Sequence, residues 1–134
     1  MKVVVMDGQG GKLGGLVVEQ IVRARLSCEL LAVGTNSAAT AAMLKAGAEH
    51  GATGENPVIV ACRDADVIIG PIAIVAADSL YGEVTPAMAL AVGQSRATKL
   101  LLPVSHCRNL VVGVRDMTMN DMARETAERL KALL

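Results

Sequence analysis

The sequence predicts an α/β fold, a three-layer sandwich in which a Rossmann-like, mainly parallel sheet of about five strands carries helices on both faces. Three observations carry that expectation. Short, nearly continuous apolar runs such as Val3–Met6 and Leu30–Val33 read as strands buried on both faces rather than as half-exposed, alternating ones. Longer stretches with helical spacing lie between them, the first through Leu13, Leu16, Val17, Ile21 and Ala24. The first strand also breaks into Gly8, Gly10, Gly11 and Gly14 directly ahead of that helix. Such a strand, tight turn and helix start presents free N–H groups and the positive end of a helix dipole at the carboxyl edge of a parallel sheet, where an anion, most often a phosphate, binds.

The composition fits this architecture. At 134 residues the chain suits one domain, 1–134, long enough to bury about two-thirds of its unfolded surface. Phe and Trp are absent and Tyr81 is the single aromatic, so the core must be built from Val, Ile, Leu, Ala and Met. Thirteen basic side chains balance thirteen acidic ones, which gives no electrostatic case for nucleic acid or an anionic membrane as partner. The missing aromatics weigh against single-strand stacking as well. The apolar run after Met1 ends at Asp7, too short for a signal-peptide core, and nothing approaches the roughly twenty apolar residues of a membrane span, so a cytoplasmic protein is expected. Cys28, Cys62 and Cys107 are odd in number and lack CxxC spacing, which fits free thiols and indicates no metal site.

Taken in order, a first strand over about 3–7 leads into a helix from about Gly11 to Arg25, and Glu29–Gly34 forms the second strand. A right-handed crossover places these two strands side by side. Thr35-Asn36-Ser37 supplies N-cap chemistry for a helix over Ala38–Ala46, with Gly47 as its C′ residue. Gly51–Asn56 reads as a polar loop, and Asn56-Pro57 opens a helix over about 57–64 even though Val58–Val60 has strand propensity, because Asp66–Gly70 is the better strand. Gly70-Pro71 ends that strand, Ile72–Leu80 reads as a helix stopped by Gly82, and Thr85-Pro86 opens another to about Arg96. Lys99–Val104 is the fourth strand with Pro103 near its end, and Leu110–Val114 is the fifth, at the sheet edge. The last helix follows a capping-box-like Thr118-Met119-Asn120-Asp121, with Met119, Met122, Ala123, Ala127, Leu130 and Leu133 in one stripe.

The glycines fit two dinucleotide-type registers, Gly8-x-x-Gly11-x-x-Gly14 and Gly8-x-Gly10-x-x-x-Gly14, but miss the strict G-x-G-x-x-G spacing. A phosphate-binding Walker pattern fails, since Leu13 follows Gly11-Lys12 and Met6 stands where its first glycine belongs. The acid that commonly holds an adenosine ribose after the second strand is replaced by Gly34-Thr35-Asn36-Ser37, which weighs against plain NAD. Tyr81 has Thr85 where a Tyr-x-x-x-Lys pair needs lysine. Three further polar clusters fall at strand ends or connections: Thr53–Asn56, Asp78-Ser79 with Gly82-Glu83, and Ser105–Asn109. Ligands of open α/β sheets sit outside the carboxyl ends of the strands, so these clusters are expected to converge on one crevice. The candidate binding residues are therefore Gly8, Gln9, Gly10 and Gly11 for a phosphate and Thr35 and Asn36 for a sugar or second phosphate. Gly70 and Pro71 stand at the end of the third strand, with Glu55, Asn56 and Ser79 about the same crevice. Within it, Gln9, Asn36, Asn56 and Ser79 are expected to share the rim.

Across nearly its full length the chain resembles a small bacterial family, domain of unknown function 3842. The resemblance rests on Asp7–Gly11, Gly34–Asn36, Ala52–Asn56, Ile69–Ile72, Gly82–Pro86 and Val112–Val114. Val84 stands where the family pattern has isoleucine, and the pattern has Asn or Arg around Ser105-His106, so His106 is not a family catalyst. The resemblance implies a Rossmann-like prokaryotic cytosolic protein and no particular activity. The leading functional expectation is binding of NAD(P) or another nucleotide, a dinucleotide ahead of a mononucleotide, by a homo-oligomer, most simply a dimer. One alternative is a cofactor-free enzyme on a small polar or phosphorylated metabolite, with Glu55, Asp78, Glu83 or Cys107 as acid, base or nucleophile. The other is a non-catalytic regulatory or interaction module.

Overall fold

The computed structural model describes residues 1–104 and 109–134. Five strands, β1 (Lys2–Asp7), β2 (Glu29–Gly34), β3 (His50–Thr53), β4 (Val67–Pro71) and β5 (Thr98–Leu102), form one sheet in the order β3-β2-β1-β4-β5, with every neighbouring pair parallel. The helices are α1 (Lys12–Arg23), α2 (Ser37–Ala46), α3 (Glu55–Cys62), α4 (Pro86–Gln94) and α5 (Met119–Leu133). This is a doubly wound, Rossmann-like α/β sandwich, as the alternation of apolar runs and helical stretches predicts. None of these helices is long and apolar enough to cross a membrane.

The period of two along β1 builds the two cores. Val3 and Val5 point to one face, where they meet Val17 and Ile21 of α1, Met43 of α2 and Leu130 of α5. Val4 and Met6 point to the other, against Val58 of α3 and Met88 and Val92 of α4. Val3, Val4 and Val5 are each 0% exposed, so β1 needs apolar side chains on both faces, and each such burial contributes about 1.5–3 kcal/mol. Helix ends follow the expected chemistry. Asn36 Oδ1 accepts from Ala39 N at 2.9 Å, Thr85 Oγ1 from Met88 N at 3.1 Å with Pro86 as the first helical residue, and Thr118 Oγ1 from Asp121 N at 3.1 Å. Gly47 follows α2 with φ 123°.

Three expectations about elements are corrected. The fifth strand is not Leu110–Val114, which is irregular and leaves Leu110 88% and Val112 97% exposed. It is His50–Thr53, within and just ahead of a segment read as a polar loop. Its residues, His, Gly, Ala and Thr, carry no apolar pattern of their own, and the strand exists through its pairing with Leu31–Gly34 of β2. The helix expected over Ile72–Leu80 shrinks to a 3₁₀ turn at Ile72–Val75, because Asp78, Leu80, Tyr81 and Gly82 all adopt positive φ. Finally, α3 starts at Glu55 after Gly54, so Asn56 lies inside its first turn instead of capping it.

Candidate ligand-binding site

The sheet order reverses direction at β1, whose neighbours β2 and β4 are reached by connections running to opposite sides. Ligands of doubly wound sheets bind at this switch, outside the carboxyl ends of the strands. The glycine turn stands there. Gly11 N donates to Gly8 O at 2.9 Å and Gly15 N to Gly11 O at 2.8 Å, which closes the turn and starts α1. Gly11 itself has φ 72°, and a Cβ on it would lie 2.7 Å from Ala39 Cα, so the position requires glycine both for its backbone conformation and for the close approach of α2.

Asp7, 6% exposed, sits beneath the turn. Its Oδ1 accepts from Gly8 N at 2.8 Å and its Oδ2 from Gly14 N at 2.7 Å, so an internal carboxylate holds the first amide of the turn and an amide in the first turn of α1. Asp7 does for α1 what a side-chain cap does elsewhere, since the N-cap residue is Gly11. Sequence reasoning did not select it, although an acid at the end of a buried apolar strand must find donors or fail to be buried. The amides of Gly10, Lys12 and Leu13 make no hydrogen bond among the described residues.

A second carboxylate reaches the turn from above. Glu83 Oε1 accepts from Gln9 N at 2.9 Å, from Thr35 Oγ1 at 2.7 Å and from Asn36 Nδ2 at 2.6 Å. Asn36 Nδ2 also donates to Gln9 O at 2.9 Å. Gln9, Thr35, Asn36 and Glu83 thus form one polar junction between the glycine turn and the end of β2. Burial pushes the Glu83 carboxyl up, but the bonds from Gln9, Thr35 and Asn36 outweigh it and hold the group below its ordinary value of 4.5. Those bonds therefore stabilise the fold in full above that value and lose their contribution as pH falls through the lowered pKa. The difference in unfolding free energy between the wild type and Glu83→Gln is expected to shrink in the acid window below 4.5, read from urea midpoints. A difference that stays constant over that window would contradict the assignment.

Asp7, Gly8, Gln9, Gly10, Gly11, Lys12, Leu13, Pro71, Leu80, Val104 and Met119 line a cavity of about 220 Å³ beside the turn. The phosphate candidates and Pro71 are therefore on its wall, whereas Thr35, Asn36 and Glu83 stand outside the lining and meet the turn at Gln9. Other candidates lie elsewhere or have other tasks. Glu55 Oε2 accepts from Thr85 Oγ1 at 2.7 Å, which ties the start of α3 to that of α4. Ser79 Oγ donates to Ala73 O at 2.6 Å. Asn56 is exposed on α3, outside the cavity lining, and Gly70 is buried where a Cβ would stand 2.6 Å from Met6 O. Asp78 and Tyr81 are exposed. Ser105, His106, Cys107 and Arg108 lie outside the described residues. Burial raises the Cys28 and Cys62 thiols, so neither is poised as a thiolate.

The profile of the domain of unknown function 3842 family matches residues 2–134. The chain matches no curated protein. Among solved structures it is similar to a dodecameric FMN-dependent Ubix-like decarboxylase from Escherichia coli O157:H7, at 17% identity and a TM-score of 0.43, over 99% of this chain and 94% of that one.

Proposed function

The chain belongs to the family of domain of unknown function 3842, and we propose that its glycine-turn crevice binds the phosphate of a nucleotide. One observation carries the reading: at the switch point of the sheet, the Gly10, Lys12 and Leu13 amides stand beside a cavity with no partner among the described residues. Asp7 already holds the Gly8 and Gly14 amides, so the phosphate takes the outer donors, beside the exposed Lys12. A cavity of about 220 Å³ is smaller than the 300–1,000 Å³ usual for enclosed small-molecule sites, so it receives the phosphate end while the rest of the nucleotide extends over the exposed Gln9 and Gly10. NAD and mononucleotides such as ATP and AMP all fit this description. A second copy of the chain, most simply in a twofold dimer, is the natural source of further walls over so open a mouth. Glu83, held as a carboxylate by three donors, is unsuited to act as a general acid near neutral pH, which favours binding over acid chemistry at this junction.

Thermal unfolding with NAD, ATP and AMP tests the reading. A ligand at a hundred times its dissociation constant adds about 2.7 kcal/mol, a rise in Tm of roughly 10 °C for a chain of this size. Gly10→Val is the matched control, because a Cβ at Gly10 meets nothing within 4 Å and the variant is expected to fold while crowding the outer amides. The expected result is a shift in the wild type that the variant reduces; no shift with any nucleotide would sink the proposal.

A further inference from the structure

We infer that Glu83 is the specificity-determining residue of this site, selecting a nucleotide whose ribose carries a free 2′-hydroxyl over one that is deoxygenated or phosphorylated there. The inference rests on the nucleotide reading above and goes beyond it in naming the sugar the site accepts. Doubly wound sheets that bind NAD commonly place an acid at the end of the second strand, where it accepts from the ribose hydroxyls. In this chain β2 ends in Gly34 and is followed by Thr35 and Asn36, neither of them acidic. The fold delivers a carboxylate to that place from a distant segment: Glu83 is 48 residues from Thr35 and 74 from Gln9, yet its Oε1 accepts from both.

The delivery is rigid. Asp78, Leu80, Tyr81 and Gly82 have φ of 64°, 54°, 56° and 87°, and left-handed backbone at three non-glycine residues persists only where the surroundings over-determine it. Those surroundings are present. Asp78 N donates to Val84 O at 2.7 Å, Val84 N to Ser79 O at 3.2 Å and Ser79 Oγ to Ala73 O at 2.6 Å. Leu80 is buried over Gly8, where an added Cβ would lie 2.7 Å from Leu80 Cδ1 and from Thr35 Oγ1, so glycine is what lets the strap close on the turn. Gln9 adopts φ 50° in order to aim its N–H at the same oxygen.

The chemistry follows from which oxygen is occupied. Gln9, Thr35 and Asn36 all donate to Oε1, so among the described residues Oε2 keeps its lone pairs for a further donor. A ribose hydroxyl is such a donor. A 2′-phosphate has only acceptors and negative charge to offer, and the groups that donate to the carboxylate among the described residues, the Gln9 amide and the Thr35 and Asn36 side chains, are all neutral. A 2′-deoxyribose leaves the carboxylate without its partner.

The test is calorimetric titration of the wild type and Glu83→Gln, each nucleotide that binds being compared with its altered form: NAD with NADP, ATP and AMP with their 2′-deoxy counterparts. The wild type is expected to bind the 2′-hydroxyl form at least about tenfold more tightly, the range for a hydrogen bond to a charged group. Glutamine keeps an oxygen for the three donors and replaces the outward acceptor with a donor, so the variant is expected to bring NAD and NADP to within about threefold of each other. Equal affinity of the wild type for both members of a pair would overturn the inference and leave the nucleotide reading standing. Tighter NAD binding by Glu83→Gln would also overturn it, since the carboxylate would then be competing with the ligand. If no nucleotide binds, the nucleotide reading fails and this inference fails with it. The wild-type comparison decides the matter even if the variant does not fold.

Discussion

Replacing Gly11 with alanine is expected to lower the unfolding free energy by about 3 kcal/mol and Tm by roughly 10 °C. Two costs add at this position. A Cβ at φ 72° carries the left-handed penalty of about 1–2 kcal/mol, and the same atom would stand 2.7 Å from Ala39 Cα and 2.8 Å from Ala39 O, backbone atoms of α2 that cannot rotate away. Either α1 and α2 separate or the turn between β1 and α1 deforms. Gly10→Ala, one residue earlier, meets nothing within 4 Å and is expected to change stability by no more than about 0.5 kcal/mol. Thermal unfolding of the two variants side by side checks the contrast, and similar losses at both positions would contradict the turn geometry.

Asp7→Ala is expected to be comparably severe, about 3 kcal/mol, measured by urea unfolding at neutral pH. The substitution removes the acceptors of Gly8 N and Gly14 N and leaves both amides unpaired at the buried end of β1. A hydrogen bond to a charged group contributes about 1.5–3 kcal/mol, and an orphaned buried amide costs about 1–3 kcal/mol. If a phosphate ligand can reach those two amides once the carboxylate is gone, nucleotide affinity should rise in Asp7→Ala even as stability falls. A variant as stable as the wild type would show that the Asp7 carboxylate does not carry the start of α1.

Elements whose information is local were legible in the sequence. β1, β2 and β4 are apolar on both faces because both faces are covered, and the Asn36, Thr85 and Thr118 caps need only their own helix. The glycine turn belongs to the same class, since strand, turn and helix follow one another directly. What failed depends on distant partners. His50–Thr53 is a strand because β2 lies beside it, and Leu110–Val114 has strand composition but no neighbour to pair with among the described residues. The helix expected over Ile72–Leu80 yields to the strap that carries Glu83, and no spacing rule connects a glutamate there to a threonine 48 residues earlier. Of the residues expected about one crevice, Gln9 and Asn36 meet, while Ser79 bonds to neighbouring backbone and Glu55 ties two helix starts together.

Tyr81, fully exposed at the tip of that strap and two residues from Glu83, is the chain's single aromatic side chain. All of the protein's near-ultraviolet emission therefore originates at the strap, next to Leu80 of the cavity wall, and none from the core. Because the ring is already in water in the native state, its fluorescence should change little when the sheet melts, and global unfolding has to be followed by far-ultraviolet circular dichroism. The same isolation makes Tyr81 a built-in reporter: quenching or polarisation of one fluorophore reads events at the strap without a label and without background from the rest of the molecule.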